Sequence, residues 1–124
     1  MKRSLLVVDD EAPTREMLSL FFRTRGFEVF GTESAEGTVK RLGESVPDVI
    51  ILDINLGKAD GFQFLEQCKQ LHPEVPVIML TGLGYDEELM ARSKAGGASG
   101  YMSKTEPLAD LLKEVQRVLN DRIG

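Results

Sequence analysis

Four short apolar runs, spaced by stretches of helical periodicity, leave this chain few folds to choose from. The runs are Leu5-Leu6-Val7-Val8, Val49-Ile50-Ile51-Leu52, Val77-Ile78-Met79-Leu80 and Gly100-Tyr101-Met102, with Phe27-Glu28-Val29-Phe30 as a fifth, more polar one. Short β-branched runs that do not alternate with polar residues read as parallel strands buried on both faces. The stretches between them read as helices. The first runs from about Ala12 to Arg25, with Pro13 in its first turn and Gly26 as its stop. Ser34 caps a weak second helix with Val39 and Leu42, and Asp60 and Gln63 resemble a capping box for a third with a stripe of Phe62, Leu65, Cys68 and Leu71. A fourth, about Asp86 to Ala95, has little more than Leu89 and Met90 on its apolar side and ends at Gly96-Gly97. The last, behind Pro107, carries Leu108, Leu111, Leu112, Val115, Val118 and Leu119. Five strand-then-helix units predict an α/β, doubly wound five-stranded parallel sheet with helices on both faces and right-handed crossovers. Glu28 makes the second strand the candidate for a sheet edge.

Composition narrows the class. The 124 residues are expected to form a single domain, 1–124, with no output domain in this chain. Cys68 is the one cysteine, so no disulfide within the chain and no cysteine-based metal site is available. No apolar run is long enough to span a bilayer, and Met1-Lys2-Arg3 leads into too short a run for a signal peptide, so no membrane partner and a cytoplasmic location are expected. The formal charge of −5 and pI near 4.9 argue against direct nucleic-acid binding.

Chemistry gathers where the apolar runs stop. Asp9-Asp10, Asp53 and Thr81 follow three of them directly, and Lys104 follows the fourth closely. In an open parallel sheet, ligands bind outside the carboxyl ends of the strands, so these five side chains are expected to share one crevice. Two carboxylates about 4 Å apart repel by roughly 4 kcal/mol at an effective dielectric of 20, so either one takes up a proton or a cation sits between them. An all-oxygen, partly open site suits Mg²⁺, which keeps several waters and is held by one or two carboxylates plus a phosphate. Lys104 and Thr81 can each engage phosphoryl oxygens, and Gly82 leaves room for a bulky anion. A carboxylate beside a metal and a cation can act as the nucleophile that becomes an aspartyl phosphate.

Five segments then match a known pattern in order and spacing: V-V-D-D-E near the start, I-I-L-D-I-N-L around Asp53, D-G-F at 60–62, V-P-V-I-M-L-T-G at 75–82, and A-G-G-A-S-G-Y-M-S-K at 95–104. From Leu5 to about Leu119 the chain resembles the receiver domain of two-component response regulators. The resemblance implies a flavodoxin-like sheet of order 2-1-3-4-5 and a phosphorylation-activated switch. Asp53 would accept a phosphoryl group from a sensor histidine kinase or a histidine phosphotransfer protein. It further implies that Asp10 binds Mg²⁺ directly (Mn²⁺ can replace it), Asp9 through water and Asn55 through its backbone carbonyl. Thr81, Lys104 and Gly82 would surround the phosphoryl group, and Tyr101 would turn inward as Thr81 moves. The face of the fourth helix, fifth strand and fifth helix would change shape for a downstream partner or a phosphorylation-dependent dimer. Beyond gaining and losing its own phosphate, no enzyme activity is implied.

Departures from the pattern qualify these expectations. Lys104 is followed by Thr105 where many receivers have Pro, so a trans bond is expected there. Gly57-Lys58-Ala59 lacks a Pro common in that loop, which predicts more mobility. Asn55 and Leu83 hold the family's lifetime-tuning positions, and apolar Leu83 cannot orient an attacking water, which predicts slow self-dephosphorylation. The competing readings are a pseudo-receiver scaffold that binds without phosphorylation, and the receiver part of a larger DNA-binding or enzymatic regulator. An aspartyl phosphatase resembling the haloacid dehalogenase group fits less well, because Asp53 is followed at the second place by Asn55 rather than Asp. His72, Asp48 and Asp60 read as structural residues outside the site.

Overall fold

The computed structural model describes residues 2–56 and 59–123. Gly57 and Lys58, on which the expectation of a mobile loop falls, lie outside the described residues. In chain order the elements are β1 (Ser4–Val8), α1 (Ala12–Arg23), β2 (Glu28–Thr32), α2 (Ala35–Glu44), β3 (Val49–Asp53), β4 (Asn55–Leu56), β5 (Ala59–Asp60), α3 (Gly61–Leu71), β6 (Val77–Thr81), α4 (Glu87–Ala95), β7 (Gly100–Ser103) and α5 (Leu108–Ile123). β4 and β5 pair as a small antiparallel ribbon; the other five strands form one sheet of order β2-β1-β3-β6-β7, all pairs parallel. Counted over the sheet's own strands this is the expected 2-1-3-4-5. Glu28 sits on the edge strand, exposed, as its charge requires.

Alternation along the strands builds two cores. Leu5, Val7, Val49, Ile51, Ile78 and Leu80 face α1 and α5, meeting Leu18, Phe22, Leu111, Val115 and Val118. Leu6, Val8, Ile50, Leu52, Val77 and Met79 face the other way, against Leu42 of α2 and Phe64, Leu65 and Cys68 of α3. Each fully buried aliphatic side chain contributes about 1.5–3 kcal/mol, so the sheet's two faces dominate the stability. Two helix details differ from the sequence reading. The buried stripe of α3 is Gly61, Phe64, Leu65 and Cys68, while Phe62 is half-buried and Leu71 is exposed. The spacing 61, 64, 65, 68 is the true inward face; Leu71 sits at the last turn, past the sheet. α1 stops at Arg23, with Gly26 at φ +90 three residues on.

Caps set the other boundaries. Ser34 accepts the Gly37 N–H at 3.0 Å, Asp60 the Phe62 N–H at 2.9 Å, and Asp86 the N–H groups of Glu88 and Leu89. Asp48 accepts the Ser4 N–H at 2.8 Å and ties the start of β3 to β1. Ser93 is the one buried residue of α4, so this helix is thinly anchored, as its sequence implied.

Gly61 holds the chain close beyond Asp53. Its N–H donates to Ile54 O at 3.0 Å, and a Cβ there would overlap that oxygen and lie 2.8 Å from Asp53 O. Backbone cannot yield without moving Asp53. Gly61→Ala is therefore expected to cost about 2 kcal/mol or more in urea denaturation, and unchanged stability would contradict this close approach.

Candidate functional site

Strand register brings the polar residues level. Val8 pairs with Leu52, so Asp9 and Asp53 come next on adjacent strands; Thr81 pairs with Ser103, one residue before Lys104. Lys104 N–H donates to Thr81 O at 2.7 Å, which continues the ladder past the strand ends. No described peptide bond is cis, so Lys104–Thr105 is trans, as expected.

The Lys104 ammonium lies at the centre of this crevice. Its Nζ is 3.0 Å from Asp9 Oδ2, 3.1 Å from Asp53 Oδ2 and 3.3 Å from Glu11 Oε1. Carboxylate oxygens of Asp9, Asp10, Glu11 and Asp53 lie within 4.8 Å of one another. Asp9 and Asp53 are buried, at 1% and 4% exposure, while Asp10 and Glu11 are open to solvent. Asp9 Oδ1 accepts the Glu11 N–H and Asp53 Oδ1 the Asn55 N–H. Asp9 Oδ2 is buried and meets the Lys104 ammonium at 3.0 Å as an ion pair, with no other donor beside it. Four carboxylates sharing one ammonium leave excess negative charge on hard oxygen donors, which fits a divalent cation such as Mg²⁺.

Electrostatics show the strain on this arrangement. Burial, then the charge of Asp9, pushes the Asp53 carboxyl up from 3.8 to about 6, against hydrogen bonds from Lys104 and Asn55. Burial works against the Lys104 charge too, but hydrogen bonds and attraction from Asp9 and Asp53 outweigh it and hold the ammonium above the lysine range.

The remaining candidates line the rim. A cleft of about 420 Å³ is bounded by Asp10, Glu11, Asp53, Asn55, Gly82, Leu83 and Lys104. A Cβ on Gly82 would meet only Lys104 Cδ, at 4.0 Å, so this wall is open. Thr81 is buried, and its hydroxyl accepts the Leu83 N–H at 3.1 Å; the Leu83 side chain is 70% exposed. Tyr101 is half-buried and donates its hydroxyl to Gly84 O at 3.1 Å. Asp48 and Asp60 are committed to their structural bonds, and His72 lies 3.4 Å from Glu74 at the end of α3. Sequence reasoning missed Glu11. An acid after two aspartates looks like solvated surface until the strand order brings Lys104 from the far end of the chain.

Comparison with known proteins agrees with this geometry. The response regulator receiver domain family matches residues 5–116. The phosphate regulon transcriptional regulatory protein PhoB of Escherichia coli is 36% identical over 121 residues, 96% of this chain and 52% of PhoB. The chain thus spans about half the length of PhoB from Escherichia coli and from Pseudomonas aeruginosa. Among solved structures, the chemotaxis protein CheY4 of Vibrio cholerae superposes with a TM-score of 0.89 at 30% identity, covering 95% of this chain and 99% of that one. A CheY-like receiver domain from Methanospirillum hungatei shares the fold with a TM-score of 0.91 at 24% identity, covering 98% and 97%.

The Asp53 shift has a stability consequence. Its folded-state value lies above the unfolded 3.8, so the bound proton favours folding. That contribution is complete below about pH 4 and is lost as pH rises through about 6. Ionising Asp53 beside Asp9, with Lys104 as the shared countercharge, therefore costs about 1–3 kcal/mol. In chelator, Asp53→Asn is expected to be more stable than wild type by about 1–3 kcal/mol at pH 8, and equal to it at pH 4. Urea denaturation across that range checks this; equal stabilities at pH 8 would contradict it.

Proposed function

Since the chain belongs to the response regulator receiver domain family, we propose that it is a two-component signalling switch in which Asp53 is the phosphoryl acceptor. The observation that carries this is the buried Asp53 carboxylate, bonded to Lys104 at 3.1 Å and open to the cleft on its far side. The donor is a sensor histidine kinase or a histidine phosphotransfer protein. Asp53 attacks the phosphorus of the donor's phosphohistidine: a P–O bond forms to the carboxylate, the P–N bond breaks, and its electron pair leaves with the imidazole. Asp10, Asp53, the Asn55 carbonyl and, more remotely, Asp9 would hold Mg²⁺ (or Mn²⁺), which would supply charge neutralisation for phosphoryl transfer.

Lys104 exchanges its carboxylate partners for a phosphoryl oxygen, a charge-assisted bond it already stands within reach of. Gly82 leaves the opposite wall clear. The phosphoryl group adds about −1.5 to −2 charges and three acceptor oxygens. Thr81 donates its hydroxyl proton to one of them as its side chain moves toward the phosphoryl group, and the space it vacates receives Tyr101. The readout face is the groove of about 270 Å³ between α4 and α5 across β7, where Met90, Ser93, Tyr101, Glu114 and Arg117 meet. A downstream partner or a second copy would be selected there by the shape of the phosphorylated state. Catalysis by this chain is limited to its own phosphorylation and dephosphorylation. No helix of the described residues is long and apolar enough to cross a membrane, which is compatible with work in the cytoplasm. In PhoB the counterpart is about half of a transcriptional regulator. A DNA-reading output would therefore belong to other residues or another protein, not to this acidic domain.

Intact mass after acetyl phosphate treatment tests the reading. One phosphoryl adduct is expected on wild type with Mg²⁺, and none with chelator or in Asp53→Asn. An adduct that survives either change would contradict it. The adduct is expected to outlast minutes, because Leu83 offers water no hydrogen-bonding partner; decay within seconds in Mg²⁺ would contradict that role.

A further inference from the structure

We propose that Tyr85 and Glu106 form a latch that holds the β6–α4 loop against the Lys104 turn in the resting chain and is released on switching. This rests on the phosphorylation reading above and adds a control element to it. Three inward hydrogen bonds hold the loop: Leu83 N–H to Thr81 Oγ1 at 3.1 Å, Tyr101 Oη to Gly84 O at 3.1 Å, and Tyr85 Oη to Glu106 Oε1 at 2.5 Å. The first two involve residues already assigned to the switch. The third involves residues with no assigned role.

The Tyr85 ring gains little from burial, being 62% exposed. Its hydroxyl bond, 21 residues across the sequence, is what fixes its place. A phenol–carboxylate bond of this length is charge-assisted and among the stronger side-chain hydrogen bonds. Glu106 has its own reason to keep it: Oε2 is buried without a partner, so Tyr85 is the side-chain donor its carboxylate retains. The bond holds the Tyr85 hydroxyl protonated, pushing it up to about 12.

Position turns this bond into a control element. Glu106 lies two residues after Lys104, in a turn closed by Glu106 N–H to Ser103 O at 3.1 Å. Tyr85 lies four residues after Thr81. The bond therefore ties together the segments that follow the two residues assigned to hold the phosphoryl oxygens. Beside Tyr85 stands Tyr101, its ring centroid 6.2 Å away and its hydroxyl bonded to the same loop. Inward rotation of Tyr101 removes one tether and the neighbouring ring at once. With the latch intact, the resting loop is favoured; without it, the released loop is more populated, and phosphorylation, which selects that state, proceeds faster.

Tyr85→Phe, Glu106→Ala and the double variant test this, with hydrogen exchange of residues 82–91 in the unphosphorylated chain and the rate of acetyl phosphate adduct formation. Each single variant is expected to exchange about three- to tenfold faster, as loss of one such bond implies, and the double variant no faster than either. Adduct formation is expected to rise by a similar factor. Wild-type exchange in Tyr85→Phe, or effects that add in the double variant, would overturn the latch. Faster exchange with an unchanged or slower adduct rate would make the pair structural only and also overturn it. If wild type gains no adduct at Asp53, the phosphorylation reading fails, and exchange still decides whether the resting latch exists.

Discussion

A single ammonium group at the carboxyl end of the sheet is what the rest of the site depends on. Lys104 Nζ stands within 3.3 Å of three carboxylates, two of them almost fully buried. Without it, Asp9 and Asp53 would face each other in a low-dielectric crevice with no countercharge. Even with it, four carboxylates share one ammonium, and burial with the charge of Asp9 pushes Asp53 up to about 6. The resting crevice is therefore incompletely neutralised. On the proposed reading, a cation with a phosphoryl group would complete this arrangement, and the residues around it would move as it did so.

Movement is confined by how the scaffold is built. The sheet carrying Asp9, Asp53 and Thr81 is packed on both faces by residues at or near complete burial, and it is rigid. The loop after Thr81 and helix α4 have no such anchorage; Ser93 is the one buried residue of α4. A change of charge at the strand ends is thus expressed in the segment least able to resist it. In the proposed switch, site and readout share one loop, residues 82–86, whose hydrogen bonds reach Thr81 on one side and Tyr101 and Glu106 on the other.

Much of this was legible in the residues. Strand positions, the edge strand and the caps at Ser34 and Asp60 follow from local patterns that depend on neighbours a few residues away, while the sheet order came from the family resemblance. Convergence of Asp9, Asp10, Asp53, Thr81 and Lys104 follows from the rule that a parallel sheet presents its carboxyl ends together. What escaped depends on distant partners or on fine helix phase. Leu71 fits a helical stripe on paper but lies past the end of the sheet, and Phe64 takes the inward place. Glu11 and Tyr85 carry no periodic signal. Each becomes informative only when folding brings Lys104 and Glu106, respectively, within hydrogen-bonding range. The two-residue strands at 55–56 and 59–60 are too short for any pattern to announce them.

Binding of beryllofluoride, a stable phosphoryl mimic, followed by amide NMR is the most direct test of the link from crevice to loop. With Mg²⁺, the account predicts saturable changes at Asp53, at Thr81 through Asp86, and at Tyr101 and Lys104, all absent with chelator or in Asp53→Asn. Changes that stop at Asp53 and never reach the 82–86 loop, or that appear equally without Mg²⁺, would contradict it.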